Sequence, residues 1–265
     1  MLYFIFFILG LIIGSFCNVV ILRLKSEESF VRGRSHCPAC RHQLTWYDNI
    51  PLLSFLLLRG KCRYCQKKIS WQYPLVELSA GLLFTILIAP LFFVDLPLTW
   101  LIAVSLVAII SILVVVFVYD LKYMEIPMIP VWIAIVLSIV VIGLQDFQSG
   151  ANILSWGSDT ITGIIAGGSA FLFFYALTAY SHEQWMGAGD AYIALIMGLL
   201  LGWPYTLVAF LIAFLSGSVI GVGMMMLSRG TLKTQVPFAP FLILGLFCAM
   251  FIEIYAPTFV SPLIL

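Results

Sequence analysis

The chain alternates between long apolar stretches and shorter polar ones along its whole length. We identify eight apolar stretches, near residues 2–22, 75–94, 97–118, 128–145, 160–180, 191–202, 204–227 and 239–258. A helix of about 20 apolar residues crosses a bilayer, and within lipid every backbone polar group must be hydrogen-bonded internally. The pattern therefore predicts an all-α polytopic membrane protein with about eight transmembrane helices.

Composition supports a membrane protein and excludes an ordinary soluble domain. Hydrophobic residues make up 63% of the chain and charged residues only 9%, compared with about 25% charged residues in soluble domains. The first span is interpreted as a retained helix, because no basic segment precedes it and no small-residue cleavage site follows it. The net charge of +1 says little about partners. The apolar spans indicate a lipid bilayer, and no nucleic-acid partner is expected. The sequence predicts no oligomeric state.

The charged residues are distributed unequally between the two sides of this topology. All 13 Lys and Arg residues fall on one side, ten of them between Arg23 and Lys68. The other three are Lys122, Arg229 and Lys233. The loops of the opposite side contain Asp95, Asp146 and Asp159 and no basic residue. By the positive-inside rule, the polar block at 25–74 is cytoplasmic and both termini face outward.

The polar block at 25–74 contains four of the six cysteines. They form two Cys-x-x-Cys pairs, Cys37 with Cys40 and Cys62 with Cys65. Two such pairs can present four thiolates tetrahedrally to Zn²⁺, which predicts a small zinc-ribbon-like domain; disulfides or free thiols are the alternatives. This divides the chain into a first transmembrane helix (1–24), the zinc-binding loop (25–74) and a transmembrane core (75–265). We find no internal repeat.

Two acids, Asp120 and Asp190, lie at the ends of apolar spans, where ionisable side chains are costly and usually functional. The predicted topology places both at cytoplasmic ends. Two carboxylates that meet can share one proton, as in an aspartyl protease. Gly187 and Gly189, just before Asp190, would let an extended substrate approach the site. The alternative for Asp120 is an interfacial charge, as is expected for Glu125.

The span after Asp190 is unusually short. The twelve residues between Asp190 and Trp203 cover roughly 18 Å of a core about 30 Å thick. Either Pro204 kinks a longer helix, or the segment 187–189 dips below the membrane surface, which we favour. The pairs Gly163/Gly167 and Gly217/Gly221 fall within spans and are typical of close helix packing.

The motifs resemble those of the type IV prepilin peptidases, bifunctional leader peptidases and N-methyltransferases. The resemblance covers nearly the whole chain. Segments similar to the family's signatures are 14–20 with Arg23-Leu24, 35–40, 48–54, 73–77, Asp120 with Ile126-Pro127, 187–190 and 236–241. Three positions depart from the family pattern: Cys17, Met128 and Tyr192. At Tyr192 a lysine is common in the family, so this chain lacks a positive charge beside Asp190.

The resemblance implies a protease of the inner membrane that cleaves the basic leader from prepilins and pseudopilins on the cytoplasmic side. Asp120 and Asp190 would be the catalytic acids. The resemblance also implies methylation of the new N-terminal amine, with S-adenosylmethionine as the methyl donor. Residue chemistry does not locate the donor's site, for which the loop near Cys37–Cys65 is the natural candidate.

Three other functions are weighed against this one. A presenilin-type intramembrane protease also uses Gly-x-Gly-Asp, but the cysteine loop and the extent of the resemblance argue against it. A proton-coupled transporter is disfavoured because acids on a single side give no relay across the bilayer. The third alternative is a zinc module that binds partners while the spans only hold it in the membrane.

Overall fold

The computed structural model of the chain describes residues 1–26, 28–29, 33–93, 97–152, 155, 157–184, 186–226 and 237–257. Within these ranges every regular element is helical, apart from two isolated β-bridges. The chain divides into two compact units, Met1–Phe93 and Val94–Leu265. The three-part division at 24 and 74 stays a prediction.

In its described residues, the N-terminal unit consists of two long packed helices and a polar loop that contains one short helix. Its helices are α1 (Leu2–Ser26), α2 (Leu53–Leu57) and α3 (Gln72–Leu83), and α3 continues through a π turn and a 3₁₀ turn to Phe93. A Cβ atom on Gly10 would lie 2.5 Å from the carbonyl oxygen of Ala80 on α3. The small residues of α1 therefore let its backbone contact α3 directly.

Buried polar side chains tie the loop to both helices of this unit. The guanidinium of Arg23 donates to the carbonyl oxygens of Ser29 and Arg34, at 2.7 and 3.3 Å. The Asn18 amide donates to the carbonyl of Tyr73 at 3.1 Å. These bonds satisfy side chains that would be costly to bury alone, and they fix where the loop leaves α1 and enters α3.

The described part of the C-terminal unit contains five helices. They are α4 (Thr99–Tyr123), α5 (Met128–Ser149), α6 (Asp159–Ser181), α7 (Ala188–Met226) and α8 (Ala239–Tyr255). The backbone of α7 is non-helical at Gly202 and Trp203, so α7 consists of two helices, 188–201 and 204–226.

The helix inventory agrees with the predicted eight spans. Six helices of the described chain are long and apolar enough to cross a membrane. One of the six is the divided α7, and the 17-residue α8 is a shorter apolar helix, so the described chain supplies eight apolar helices. The all-α polytopic membrane fold is confirmed. The predicted dip of segment 187–189 stays a prediction.

One of the two expected glycine contacts is confirmed in full. A Cβ on Gly163 would lie 2.7 Å from the carbonyl oxygen of Leu199, and one on Gly167 would lie 2.9 Å from that of Leu195. Helices α6 and α7 therefore pack backbone to backbone. Of the second pair, Gly217 lies near Phe241, whereas Gly221 faces open space, so the prediction of close packing at Gly221 is wrong.

Asp146, one of the acids predicted on the outward side, has a structural role. Its side chain accepts the backbone N–H groups of Asp159 and Thr160, at 2.7 and 2.9 Å, at the start of α6. A carboxylate at a helix N-terminus satisfies free N–H groups and complements the helix dipole. Four residues of the sequence predictions, Asp95, Arg229, Lys233 and Val236, lie outside the described residues.

Candidate active site and metal centre

Asp120 lies in the last turn of α4, in the C-terminal unit, and only 5% of its surface is exposed. The helix ends because Met124 adopts a left-handed conformation (φ 54°), with its N–H bonded to the Asp120 carbonyl at 2.8 Å. The chain then runs extended to Pro127, whose fixed φ suits the start of α5. This short turn holds the Asp120 side chain at the end of the bundle.

Asp190 lies in the first turn of α7 and is also only 5% exposed. The backbone N–H groups of Gly187 and Ala239 both act on its carboxylate. Gly187 directly precedes α7, and Ala239 is the first residue of α8. Two helix N-termini therefore converge on Asp190 and direct free backbone N–H groups at its carboxylate.

The structure brings Asp120 and Asp190 together. The charge of Asp120 acts on the Asp190 carboxylate, although the two residues lie on different helices. Their approach depends on Gly189, because a Cβ there would lie 2.7 Å from Cδ1 of Ile126 in the turn after α4. The first turn of α7 thus rests directly on the α4–α5 turn. Glu125, by contrast, is exposed, as expected for an interfacial charge.

The two glycines before Asp190 differ in their surroundings. Gly187 is exposed, and the nearest atom to a Cβ placed on it would be Oδ2 of Asp190, at 3.9 Å. Gly187 therefore leaves open space beside the carboxylate. Gly189 has a packing role against Ile126, and its predicted role in substrate binding stays a prediction.

Tyr192, which departs from the family pattern, packs between aromatic rings. Its ring centroid lies 5.2 Å from that of Trp132 on α5 and 5.2 Å from that of Phe171 on α6. Aromatic pairs at such distances are favourable beyond the apolar area that they bury. Tyr192 therefore joins three helices next to Asp190, a role that sequence analysis did not predict.

The four cysteines of the N-terminal unit form a cluster that can hold a metal ion. The Sγ atoms of Cys37, Cys40, Cys62 and Cys65 all lie within 4.8 Å of one another, and those of Cys37 and Cys65 are 4.0 Å apart. Tetrahedral zinc with Zn–S bonds of about 2.3 Å needs sulfur atoms about 3.8 Å apart, so the donor set fits a metal. All four are free thiols here, so the disulfide alternative is not what the structure contains.

The two Cys-x-x-Cys turns are copies of one structural unit. The N–H of Cys37 donates to the carbonyl of His42 at 3.0 Å. At positions 25 residues later, the N–H of Cys62 donates to the carbonyl of Lys67 at 2.9 Å. Further positions match at the same offset, including the β-bridges His36–Gln43 and Lys61–Lys68, the positive-φ residues Arg41 and Gln66, and the exposed Trp46 and Trp71. The expectation of no internal repeat is therefore wrong. Few residue identities recur, so the repeat is visible mainly in spacing and backbone conformation.

The clustered thiols affect one another's ionisation. Burial opposes ionisation of Cys37, but backbone N–H groups of Cys40 and Ala39 and the neighbouring thiols lower its pKa to about 7. At Cys40 a backbone N–H of His42 favours the thiolate, yet partial desolvation and the neighbouring thiols raise the pKa to about 11. One thiolate thus forms readily and disfavours a second one, a conflict that a bound cation removes.

Asp48 joins the two cysteine turns. Its side chain is 3% exposed and accepts from Nε of Arg63, between Cys62 and Cys65, at 2.8 Å. It also accepts from the hydroxyl of Thr45 at 2.7 Å. Burial opposes the charge, but the hydrogen bonds from Thr45 and Arg63 hold the pKa of Asp48 below its ordinary value. In the sequence Asp48 stands out only as part of a resembling motif, because its partners are brought to it by the fold of the loop.

Comparison with known proteins yields matches along most of the chain. Residues 8–91 match the bacterial peptidase A24 N-terminal domain, and residues 107–222 match the type IV leader peptidase family. A prepilin leader peptidase/N-methyltransferase of Bacillus subtilis is 32% identical, over 91% of this chain and 90% of that protein. A type 4 prepilin-like proteins leader peptide-processing enzyme of Escherichia coli is 35% identical, over 92% and 91%.

A third relative is longer than this chain. The prepilin leader peptidase/N-methyltransferase of Myxococcus xanthus is 36% identical over 84% of this chain, but the match spans only 63% of that protein. No solved structure matches the chain. The resemblance seen in the sequence motifs is confirmed by these matches.

Proposed function

The chain belongs to the type IV leader peptidase family, and on that premise we propose that it is a membrane aspartyl endopeptidase. Its substrates are type IV prepilins and pseudopilins, from which it removes the leader peptide. The observation that carries this proposal is the pair of buried acids, Asp120 and Asp190, which interact although 70 residues separate them.

The acid pair would divide the chemistry of peptide hydrolysis. One carboxylate, ionised, takes a proton from the attacking water, while the other, protonated, polarises the scissile carbonyl. The protonated acid then supplies the proton that the leaving amine needs. Because the two groups interact, they titrate as a pair, and the roles of base and acid belong to the pair rather than to one named residue.

The open face at Gly187 supports a route for the substrate. An extended peptide can approach the Asp190 carboxylate there without meeting a side chain on Gly187. Gly189 allows the turn at Ile126 to close on α7, and it would bind substrate only through its backbone. We assign both glycines to the substrate side of the acid pair.

The cysteine cluster would hold zinc in a structural role. Four cysteine ligands leave no open position for water, which separates structural zinc sites from catalytic ones. The loop at 25–74 contains few buried apolar side chains, so metal binding would supply much of its folding free energy. The bound ion would leave the acid–base chemistry to Asp120 and Asp190.

The second proposed activity is N-methylation of the residue exposed by cleavage. S-adenosylmethionine would supply an electrophilic methyl group, and this chain would bind the new amine and orient it. Relatives over most of this chain are named as both leader peptidases and N-methyltransferases. Residues 8–91 match a domain separate from the one at 107–222, and we assign the methyltransferase role to the loop at 25–74 within it. The core at 75–265 would then hold the protease.

The apolar helices and the family support an inner-membrane location. The unequal charge distribution supports a cytoplasmic side for the loop at 25–74 and for both aspartates. A reporter fused after Lys68 or Lys122 should then report cytoplasm, and one fused after Gly150 should report the opposite side. A cytoplasmic signal at Gly150 would contradict this orientation and separate the two acids.

Both activities are testable on the purified chain in liposomes. A prepilin supplied with S-adenosylmethionine should lose its leader and gain one methyl group on the new N-terminus, measured by mass spectrometry. Without the methyl donor, cleavage should continue and the product should stay unmethylated. If prepilin stays uncleaved when the unmodified, zinc-loaded protein is used, the peptidase assignment is overturned.

A further inference from the structure

The short helix α2 exposes apolar side chains in the most polar region of the chain. Leu53, Leu56 and Leu57 are 50%, 69% and 73% exposed. Their spacing of three and four residues places them on one face of the helix. A soluble loop rarely leaves such a face in water, so a partner of apolar character is expected here.

A hydrogen bond fixes the depth of α2 relative to a membrane-spanning helix. The N–H of Leu52, directly before α2, donates to Oε2 of Glu77 at 2.8 Å. Glu77 lies five residues after the first residue of α3, which is about 7.5 Å along the helix axis. Since α3 belongs to a candidate membrane span, α2 starts beside a point within that span rather than above it.

An aromatic contact independently indicates the same depth of α2 in the membrane. The ring of Phe55, in α2, lies 5.2 Å from the ring of Trp71. Trp71 directly precedes α3 and is 69% exposed. Tryptophan is enriched at the level of the lipid headgroups, where its ring is apolar and its N–H is polar. The middle of α2 therefore lies beside an interfacial residue.

The charges that follow α2 complement an anionic surface. Residues 49–76 contain no acid and five basic residues, all of them exposed. They are Arg59, Lys61, Arg63, Lys67 and Lys68. Asp48 balances Arg63, so residues 48–76 carry an excess of four positive charges. Clusters of basic residues next to a membrane span bind anionic lipid headgroups.

From the exposed leucines, the Glu77 and Trp71 contacts and the basic segment, we propose that α2 lies in the membrane interface. Leu53, Leu56 and Leu57 enter the boundary between headgroups and acyl chains, and Arg59 and Lys61 bind the phosphates of anionic phospholipids. Amphipathic helices with basic flanks bind membranes in this way. The cysteine loop is thereby held against the bilayer at its centre as well as at its two ends.

Photo-crosslinking of the full-length, zinc-loaded protein tests this proposal. A benzophenone amino acid replaces Leu57 in one variant and Leu82 in another, the latter being 46% exposed in the α3 span. Both proteins are placed in nanodiscs of equal parts phosphatidylglycerol and phosphatidylcholine, irradiated and analysed by mass spectrometry. We expect lipid adducts from both positions, with phosphatidylglycerol enriched severalfold at Leu57 alone. Arg59→Gln with Lys61→Gln should return the adducts at Leu57 to the bulk lipid ratio.

The assay contains no substrate, so its result is independent of the proposed function. Lipid adducts at Leu82 but none at Leu57 would show that α2 stands clear of the bilayer. Adducts from Leu57 to a second copy or to another part of this chain would assign the apolar face to protein. Adducts at Leu57 in the bulk lipid ratio, in the protein with Arg59 and Lys61 intact, would overturn the role of anionic headgroups.

Discussion

The cysteine cluster and the acid pair are two sites of one chain that are assembled in opposite ways. The four cysteines lie within 29 consecutive residues, and each pair is positioned by its own turn. Asp120 and Asp190 lie on different helices and meet only because α7 and the α4–α5 turn pack closely. The first site is therefore positioned by local hydrogen bonds, with a bound ion proposed to complete it, and the second is positioned by helix packing.

The largest expected effect is removal of the metal, which should damage the first site and spare the second. Cys62→Ser should weaken zinc binding severely, because the site loses one of its four thiolates and with it a large share of an apparent binding energy of about 10–16 kcal/mol. Elemental analysis and limited proteolysis of the loop should show lost zinc and faster cutting, with methylation lost and most cleavage retained. The matched control is Cys248→Ser, outside the cluster, which should keep its zinc.

Two results would contradict the metal prediction. Purified protein with four free thiols and no zinc would contradict the site itself. Loss of prepilin cleavage equal to the loss of methylation, in a protein that is still folded, would contradict the independence of the two sites.

A methyl group on Gly189 should have the converse effect. In Gly189→Ala the new Cβ would lie 2.7 Å from Cδ1 and 3.0 Å from Cβ of Ile126, so the first turn of α7 must shift. Overpacking costs about 1–3 kcal/mol, and we expect cleavage to fall by at least tenfold with zinc content unchanged. The control is Gly168→Ala, because a Cβ there meets nothing within 4 Å.

A second change can separate packing from substrate contact at Gly189. Ile126→Ala would remove Cδ1 and Cγ1, two of the three atoms nearest to a Cβ at position 189, and keep only Cβ at 3.0 Å. In combination with Gly189→Ala it should therefore recover part of the activity. No recovery in the double variant, measured as cleavage rate, would favour direct substrate binding by Gly189 and weaken the packing account.

The smallest effect is expected at Asp48, which supports the cysteine turns without holding the metal. Asp48→Asn keeps the shape and removes the charge that pairs with Arg63, so zinc should dissociate about tenfold faster. Chelator competition followed with a zinc dye measures this rate. Combining Asp48→Asn with Arg63→Gln should add little, since both changes break one interaction. Fully additive effects would show that the pair is not coupled.

Features that depend on local sequence were predicted well. Long apolar stretches indicated the helices, and the spacing of Cys37, Cys40, Cys62 and Cys65 indicated the metal cluster. The acid pair was proposed from sequence because charges in apolar spans are rare and these two shared a predicted side, and its catalytic role stays a prediction. For the helices and the cysteines, by contrast, the sequence signal lies within a single segment.

Features that depend on packing between segments were missed. Nothing in the sequence around Gly189 indicates that Ile126 touches it, and nothing around Ala239 indicates that its N–H acts on Asp190. Asp146 was counted as an outward charge, although it holds the first turn of α6. These contacts are set by how helices distant in sequence lie against each other, which hydrophobic patterning alone does not determine.

The central claim is that Asp120 and Asp190 work as one catalytic unit, and the cleavage rates of three variants test it most directly. Asp120→Asn, Asp190→Asn and the double variant keep nearly the same side-chain volume and are assayed on a prepilin in liposomes, with expression and zinc content matched. Each single variant should lose nearly as much activity as the double variant, because one carboxylate cannot serve as both base and acid. Glu125→Gln and Glu183→Gln, at exposed positions, should retain most cleavage. Substantial cleavage by either Asn variant, or losses that multiply in the double variant, would contradict the claim.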